Sequence, residues 1–296
     1  MFVGVSVENY EDRLYTWDGV YIHYRTWLPH EPRAVAVLVH GAGEHLGLYE
    51  HLGERFIRDG FGLVLYDLRG FGYSEGRCGH VTHFHEYLND LDQLVHVFRK
   101  KLGNRCIYLI GHSLGGLIVT RYAQLRPDHV DGIVLSAPAL ALRIHVPISV
   151  RRLISIISRV APSFSINPYG LMKKAQRIPR LKSMVTYHVQ TNKMVDPLIP
   201  LKYSVRWIQQ LLVQTEEALQ NVTSITVPTL CICGNNDTLI PSDIVRLFFD
   251  SLTVKEKEWL LLPEFGHCIL HSEQSSSVID TLIGWLKRQV QVAFRE

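Results

Sequence analysis

The sequence predicts an α/β fold, a mostly parallel β-sheet covered by helices on both faces and carrying one helical insertion. Three observations predict it. From residue 34 onward, short apolar runs alternate with amphipathic stretches of helical period. An antiparallel hairpin precedes that alternation. Between about 138 and 220 the alternation stops and only helical patterns remain.

The elements follow in order. Residues 13–17 and 20–27 form the hairpin, joined by Asp18-Gly19, a dipeptide that favours tight turns. Strands fall near 34–39, 62–67, 105–110, 131–136, 228–233 and 257–262; the first reads Ala-Val-Ala-Val-Leu-Val, apolar on both faces as a buried strand must be. Helices fall near 48–59, 84–102, 114–126, 242–251 and 273–290. Within the insertion, helical patterns cover 144–160, 170–175 and 203–218, and no strand is expected before Val227. The expected organisation is a core domain built from 1–138 and 221–296, with 139–220 as a helical cap over the strand C-termini.

Composition narrows the function classes. The chain has 296 residues, of which 47% are hydrophobic, enough for a large core. Its 31 basic and 28 acidic residues leave a net charge of +3, too balanced for a nucleic-acid surface. No run of about 18 apolar residues is present, so no transmembrane helix is expected. The first residues lack the basic and apolar regions of a signal peptide. Five cysteines, with Cys231 and Cys233 inside a buried strand, read as free thiols in a reducing compartment. No metal is expected. The expected location is the cytoplasm, with peripheral membrane contact through the cap.

Chemistry concentrates at four places. Gly111-His112-Ser113-Leu114-Gly115 lies between an apolar strand and a helix, the context of a nucleophile elbow. The turn is sharp, and side chains two residues either side of Ser113 would meet backbone, hence the glycines. His40-Gly41-Ala42-Gly43-Glu44-His45 follows an early strand and offers close-approaching backbone N–H groups. With Leu114 N–H, the N–H of Ala42 makes an oxyanion hole. Asp237 follows the strand at 228–233, at the sheet end where ligand groups collect in parallel α/β proteins. Taken alone it reads as an ordinary helix-capping or turn aspartate. His267 follows the last strand behind Gly266 and, taken alone, reads as one histidine among 15. Together Ser113, Asp237 and His267 run in the order nucleophile, acid, base.

His40-Gly-Ala-Gly-Glu-His45, Asp67-Leu-Arg-Gly-Phe-Gly-Tyr-Ser-Glu75 and Gly111-His-Ser-Leu-Gly-Gly116 resemble the monoacylglycerol lipase and lysophospholipase family of the α/β-hydrolases. The similarity spans nearly the whole chain and is weakest from 140 to 220. It implies an α/β-hydrolase fold and cleavage of lipid esters without a cofactor, with monoacylglycerol or lysophospholipid as substrate. It also implies Ser113 as nucleophile, His267 as base, Asp237 as acid, and Ala42 and Leu114 as oxyanion donors. Leu114 departs from relatives that carry Met there, which a backbone donor tolerates. Asp67 imitates a catalytic acid by position. It is read instead, with Arg69, as a brace for the loops, while His112 and Glu44 are read as orienting groups.

Two alternatives use the same constellation: a peptidase, thioesterase or acyltransferase, and a hydrolase-like binding protein without turnover. The stretch 141–160 is mostly apolar with four arginines. It reads as a cap helix lining an acyl pocket, or as a helix lying on a membrane surface.

Overall fold

The computed structural model describes residues 7–143, 146–167, 196–272 and 274–293. Strands β1 (Val7–Tyr15) and β2 (Tyr21–Pro29) form the antiparallel hairpin. Their register pairs Tyr15 with Tyr21, so residues 16–20 make the loop and the expected two-residue turn at Asp18-Gly19 is corrected. The reason is Thr16. Its Oγ1 accepts the Val20 N–H at 3.0 Å and its N–H reaches the Val20 carbonyl at 2.9 Å, closing a wider loop.

The chain then alternates β3 (Ala34–Val39), α1 (Leu52–Arg58), β4 (Gly62–Tyr66), α2 (His85–Leu102), β5 (Cys106–His112), α3 (Leu114–Leu125) and β6 (Gly132–Ser136). The single helix expected at 48–59 is instead a 3-10 turn at Leu46–Tyr49 followed by α1. After β6 come α4 (Ile148–Val160), β7 (Ser165–Ile166), β8 (Tyr203–Ser204) and α5 (Val205–Gln220). The chain closes with β9 (Thr229–Gly234), α6 (Ser242–Ser251), β10 (Lys257–Leu262) and α7 (Ser276–Ala293).

Eight strands make one sheet in the order β1-β2-β4-β3-β5-β6-β9-β10, parallel from β4 to β10. Among the described residues, no strand of this sheet comes from the segment between β6 and β9. That segment does hold one short antiparallel pair, β7 with β8, which the sequence reading did not expect. Two residues per strand are too few to show a period-2 pattern. The cap helix expected from 144 begins at Ile148, after Pro147, which cannot sit in a helix interior. The helix expected at 170–175 lies outside the described residues.

The period of two divides the core. Val35, Val37 and Val39 of β3 pack with α2, α3 and α6 on one face. Ala34, Ala36 and Leu38 pack with α1 and α7 on the other. Strands β3, β4, β6 and β9 are buried throughout and β5 from Ile107 onward, whereas β10, at the edge, is only half-buried. Cys231 and Cys233, two apart on β9, are buried free thiols on one face. Among the described residues no helix is long and apolar enough to cross a membrane.

Candidate active site

Ser113 stands between β5 and α3 with φ +52° and ψ −114°, a conformation rare for a residue with a side chain. Holding it costs about 1–3 kcal/mol. Packing enforces it. The Ser113 N–H reaches the Ser136 carbonyl at 3.0 Å, and its own carbonyl accepts from Ala139 N at 2.9 Å and Leu117 N at 3.1 Å. A Cβ on Gly115 would lie 2.0 Å from the Val39 carbonyl oxygen, and one on Gly111 would lie 2.4 Å from the Gly115 oxygen. The elbow therefore presses against the end of β3 with no room for methyl groups.

The loop after β3 faces the serine. A Cβ on Gly41 would sit 3.1 Å from Ser113 Cβ and 2.9 Å from Glu44 Oε2. Glu44 holds this loop. Its Oε2 accepts from the Gly41 N–H at 2.8 Å and from the Tyr49 hydroxyl at 2.7 Å. His40 is wholly buried and donates Nδ1–H to the Gly41 carbonyl at 2.8 Å, while its Nε2 accepts from Leu68 N at 3.0 Å. Burial depresses its pKa and keeps the ring neutral, as that accepting nitrogen requires. Ala42 lies in the middle of this braced loop. Leu114 opens α3, so its N–H is among those that no helical carbonyl reaches. The positive end of the helix dipole lies at the same point.

His267 and Asp237 sit on neighbouring loops after β10 and β9. The loops are stitched together by Asn236 N to the Phe265 carbonyl at 3.0 Å and Asn235 N to the Leu262 carbonyl at 2.9 Å. His267 Nδ1 lies 2.8 Å from Asp237 Oδ2, and its Nε2 lies 2.9 Å from Ser113 Oγ. A carboxylate only accepts, so Nδ1 carries the proton and Nε2 is left to accept from the serine hydroxyl. Asp237 Oδ1 accepts from Leu239 N at 2.8 Å and Ile240 N at 2.9 Å. Burial pushes the Asp237 carboxyl up. The hydrogen bond from His267, with those two N–H groups, outweighs it and holds the carboxyl below the usual carboxylate range.

The structure thus brings Ser113, Asp237 and His267 into one hydrogen-bonded row. Asp67 is elsewhere engaged: its Oδ1 accepts from Leu46 N at 2.7 Å, and its Oδ2 meets Tyr73 N at 2.9 Å and His23 Nδ1 at 3.0 Å. Arg69 grips both oxygens of Asp90, at 2.6 and 2.7 Å. His112 lies with its ring 5.0 Å from that of His267 and its Nδ1 3.3 Å from Ser136 Oγ.

Two residues at the site escaped sequence reasoning. Arg143 donates Nε–H to the Asp237 carbonyl, and His45 Nε2 meets Asp196 Oδ2 at 2.9 Å. Neither contact has a local sequence signal, since the partners lie 94 and 151 residues apart.

The family model described as "Serine aminopeptidase, S33" matches residues 30–274. The chain is 27% identical over 270 residues to the monoacylglycerol lipase of Mycolicibacterium smegmatis, covering 90% of this chain and 93% of that protein. It is 30% identical over 239 residues to the phospholipase YtpA of Bacillus subtilis, covering 79% and 88% respectively. The solved structure of the Paleococcus ferrophilus monoacylglycerol lipase superimposes with a TM-score of 0.73 at 30% identity, over 95% of this chain and 99% of that one.

Proposed function

Since the chain belongs to the serine aminopeptidase S33 family, with the α/β-hydrolase fold, we propose that it hydrolyses carboxylic esters of lipids through an acyl-enzyme on Ser113. Its relatives' names, monoacylglycerol lipase and phospholipase, support monoacylglycerol and a phospholipid ester as substrate classes, the latter taken here as lysophospholipid. The observation that carries the reading is the unbroken row from Asp237 through His267 to a serine held at φ +52°.

The chemistry follows from that row. His267 Nε2 takes the Ser113 proton as Oγ attacks the ester carbonyl carbon. The carbonyl oxygen gains the charge and rests on the N–H groups of Leu114 and Ala42; removing one such donor typically costs about 3–4 kcal/mol of barrier. Asp237 stays ionised and stabilises the imidazolium. The imidazolium then protonates the leaving alcohol. Water, deprotonated by the same nitrogen, releases the fatty acid and restores Ser113.

Residues 139–220 act as the cap over this site, with 1–138 and 221–296 as the core. That no described residue between β6 and β9 joins the main sheet supports this division. Helix α4 supports a membrane-facing role for the cap. It leaves Leu153, Ile156 and Val160 exposed along one side, with Val160 at 78%, and Arg152 and Arg159 exposed beside them. An apolar face edged by arginines suits a lipid surface. The chain would then work in the cytoplasm, peripheral to a membrane.

Steady-state hydrolysis of an acyl-length series tests the reading, with p-nitrophenyl esters beside monoacylglycerol and lysophospholipid and Ser113→Ala as control. Serine-dependent turnover rising with chain length is expected. Turnover confined to the shortest esters would remove the lipid assignment. The family model's description favours a second reading, an aminopeptidase, and aminoacyl p-nitroanilides in the same assay would reveal it.

A further inference from the structure

Behind the base lies a cluster that the proton relay does not use. Glu44 is buried and points its Oε1 at two histidines, 3.7 Å from His271 Nε2 and 3.6 Å from His112 Nε2. Cys268 follows His267 directly in the chain. One ligand atom from each of Glu44, Cys268 and His271 lies within 4.8 Å of the other two. We propose that these three residues form a binding site for a thiophilic divalent cation of the zinc class, and that filling it slows the hydrolase.

The donor set points to that class. A carboxylate oxygen, a thiolate sulfur and an imidazole nitrogen are the ligands zinc takes, and three protein ligands leave a fourth position for water. Magnesium and calcium demand oxygen cages, which this cluster lacks. Metal–ligand bonds of about 2.0–2.3 Å in a tetrahedron put ligand atoms roughly 3.3–3.8 Å apart. Glu44 Oε1 and His271 Nε2 already stand in that range. The remaining separations close by at most about 1 Å, a movement available to a loop between β10 and α7. Cys268-x-x-His271 has a two-residue gap of the kind that pairs ligands in zinc sites.

The surroundings are built to support a ligand. Glu44 Oε2 is fixed by Gly41 N–H and the Tyr49 hydroxyl, which orients the carboxylate and leaves Oε1 directed at the cluster. The Tyr49 ring meets the His271 ring edge-on at 5.3 Å. Cys268 and His271 are only part-buried, so a cation can enter. On binding, the thiol proton leaves to bulk water and the sulfur takes the metal bond.

The consequence for turnover comes through His267. Drawing Cys268 toward Glu44 displaces its chain neighbour, and His267 Nε2 must keep its 2.9 Å approach to Ser113 Oγ. A misplacement of about 1 Å in a reacting group costs on the order of a hundredfold in rate. The ring of His112 lies 5.0 Å from His267 and 5.6 Å from His271, so any shift at the cluster is also felt through packed rings.

The inhibition rests on the hydrolytic reading above; the binding does not, and a spectroscopic titration separates them. The full chain, reduced and freed of metal, is titrated with Co2+, whose bond to a thiolate gives an ultraviolet charge-transfer band. One Co2+ per chain with that band, displaced by Zn2+, is expected. Cys268→Ala should abolish the band, and both Cys268→Ala and His271→Asn should weaken Zn2+ binding at least about a hundredfold. Zn2+ should slow ester turnover in the parent by about tenfold or more, reversibly on adding a chelator, and leave Cys268→Ala unaffected at the same concentration. Circular dichroism melts establish that the variants are folded; should His271→Asn unfold, Cys268→Ala decides alone. No thiolate band, or a band that survives in Cys268→Ala, overturns the site. Equal Zn2+ inhibition of parent and Cys268→Ala puts the cation on the base itself and also overturns it. A band without inhibition overturns the regulatory half.

Discussion

Arg143 donates its Nε–H to the main-chain oxygen of Asp237 at 2.7 Å, and its own N–H reaches the Leu239 carbonyl at 2.9 Å. The chain after β6 is thereby tied to the turn that presents the Asp237 carboxylate to His267. Asp237 is held from three sides: by His267, by the N–H groups of Leu239 and Ile240, and by Arg143 on its carbonyl.

Arg143→Ala should therefore impair turnover without unfolding the chain. A hydrogen bond to a charged donor contributes about 1.5–3 kcal/mol. With about half of that orienting the Asp237 carboxylate, kcat falls roughly four- to thirteenfold. Arg143→Lys retains the charge but not the fixed Nε–H, and should recover little. Kinetics of the two variants against the parent check this.

Asp237→Asn tests the acid separately. An amide presents an N–H to His267 Nδ1, which favours the wrong tautomer and takes the accepting nitrogen away from Ser113. A loss of about 10⁴-fold in kcat is expected, with KM little changed. The steady-state comparison requires only that the variant keep the parent's circular dichroism.

The elbow was legible because its signals are local. Glycines at 111 and 115 around Ser113 report a turn where a Cβ would meet backbone at 2.4 and 2.0 Å. The buried strands were legible because five of them are buried on both faces and read as unbroken apolar runs. Asp237 and His267 carried little signal individually and were found through their order along the chain. Glu44 was legible as an orienting group from its motif, but Arg143, His45 and the approach of Cys268 and His271 to Glu44 were not, since those partners are brought together only by the sheet. The hairpin loop was misjudged because the Thr16 hydroxyl competes with the Asp-Gly preference, a side-chain effect outside the dipeptide rule.

Gly115→Ala should be costly where Gly284→Ala is not. The new methyl at 115 would stand 2.0 Å from the Val39 oxygen, backbone against backbone, so α3 or β3 must move. A loss of about 1–3 kcal/mol is expected from such overpacking, together with loss of turnover as Ser113 shifts. Gly284 lies in α7 with its nearest neighbour, the flexible end of Arg288, at 3.8 Å. Replacing it by Ala should add about 0.5–1 kcal/mol of stability. Thermal melts of the two variants give opposite signs.

Asp67 sets an acid-sensitive part of the stability. Burial pushes its carboxyl up, but the hydrogen bond from His23 and the N–H groups of Leu46 and Tyr73 hold its pKa below the ordinary 3.8. A carboxyl whose pKa is lowered by folding stabilises the fold above its unfolded value, and that contribution fades as pH falls through the folded value. Asp67→Asn should thus be less stable at pH 7 by about 1.5–3 kcal/mol. The gap should narrow only below about pH 4. Denaturant titrations at pH 7, 5 and 3 measure it.

The account stands on Ser113 being the nucleophile, and fluorophosphonate labelling followed by peptide mapping tests that most directly. One adduct per chain on the peptide carrying Ser113 is predicted, with labelling and ester turnover both lost in Ser113→Ala. Labelling on another residue, or turnover that survives in a folded Ser113→Ala, would contradict it.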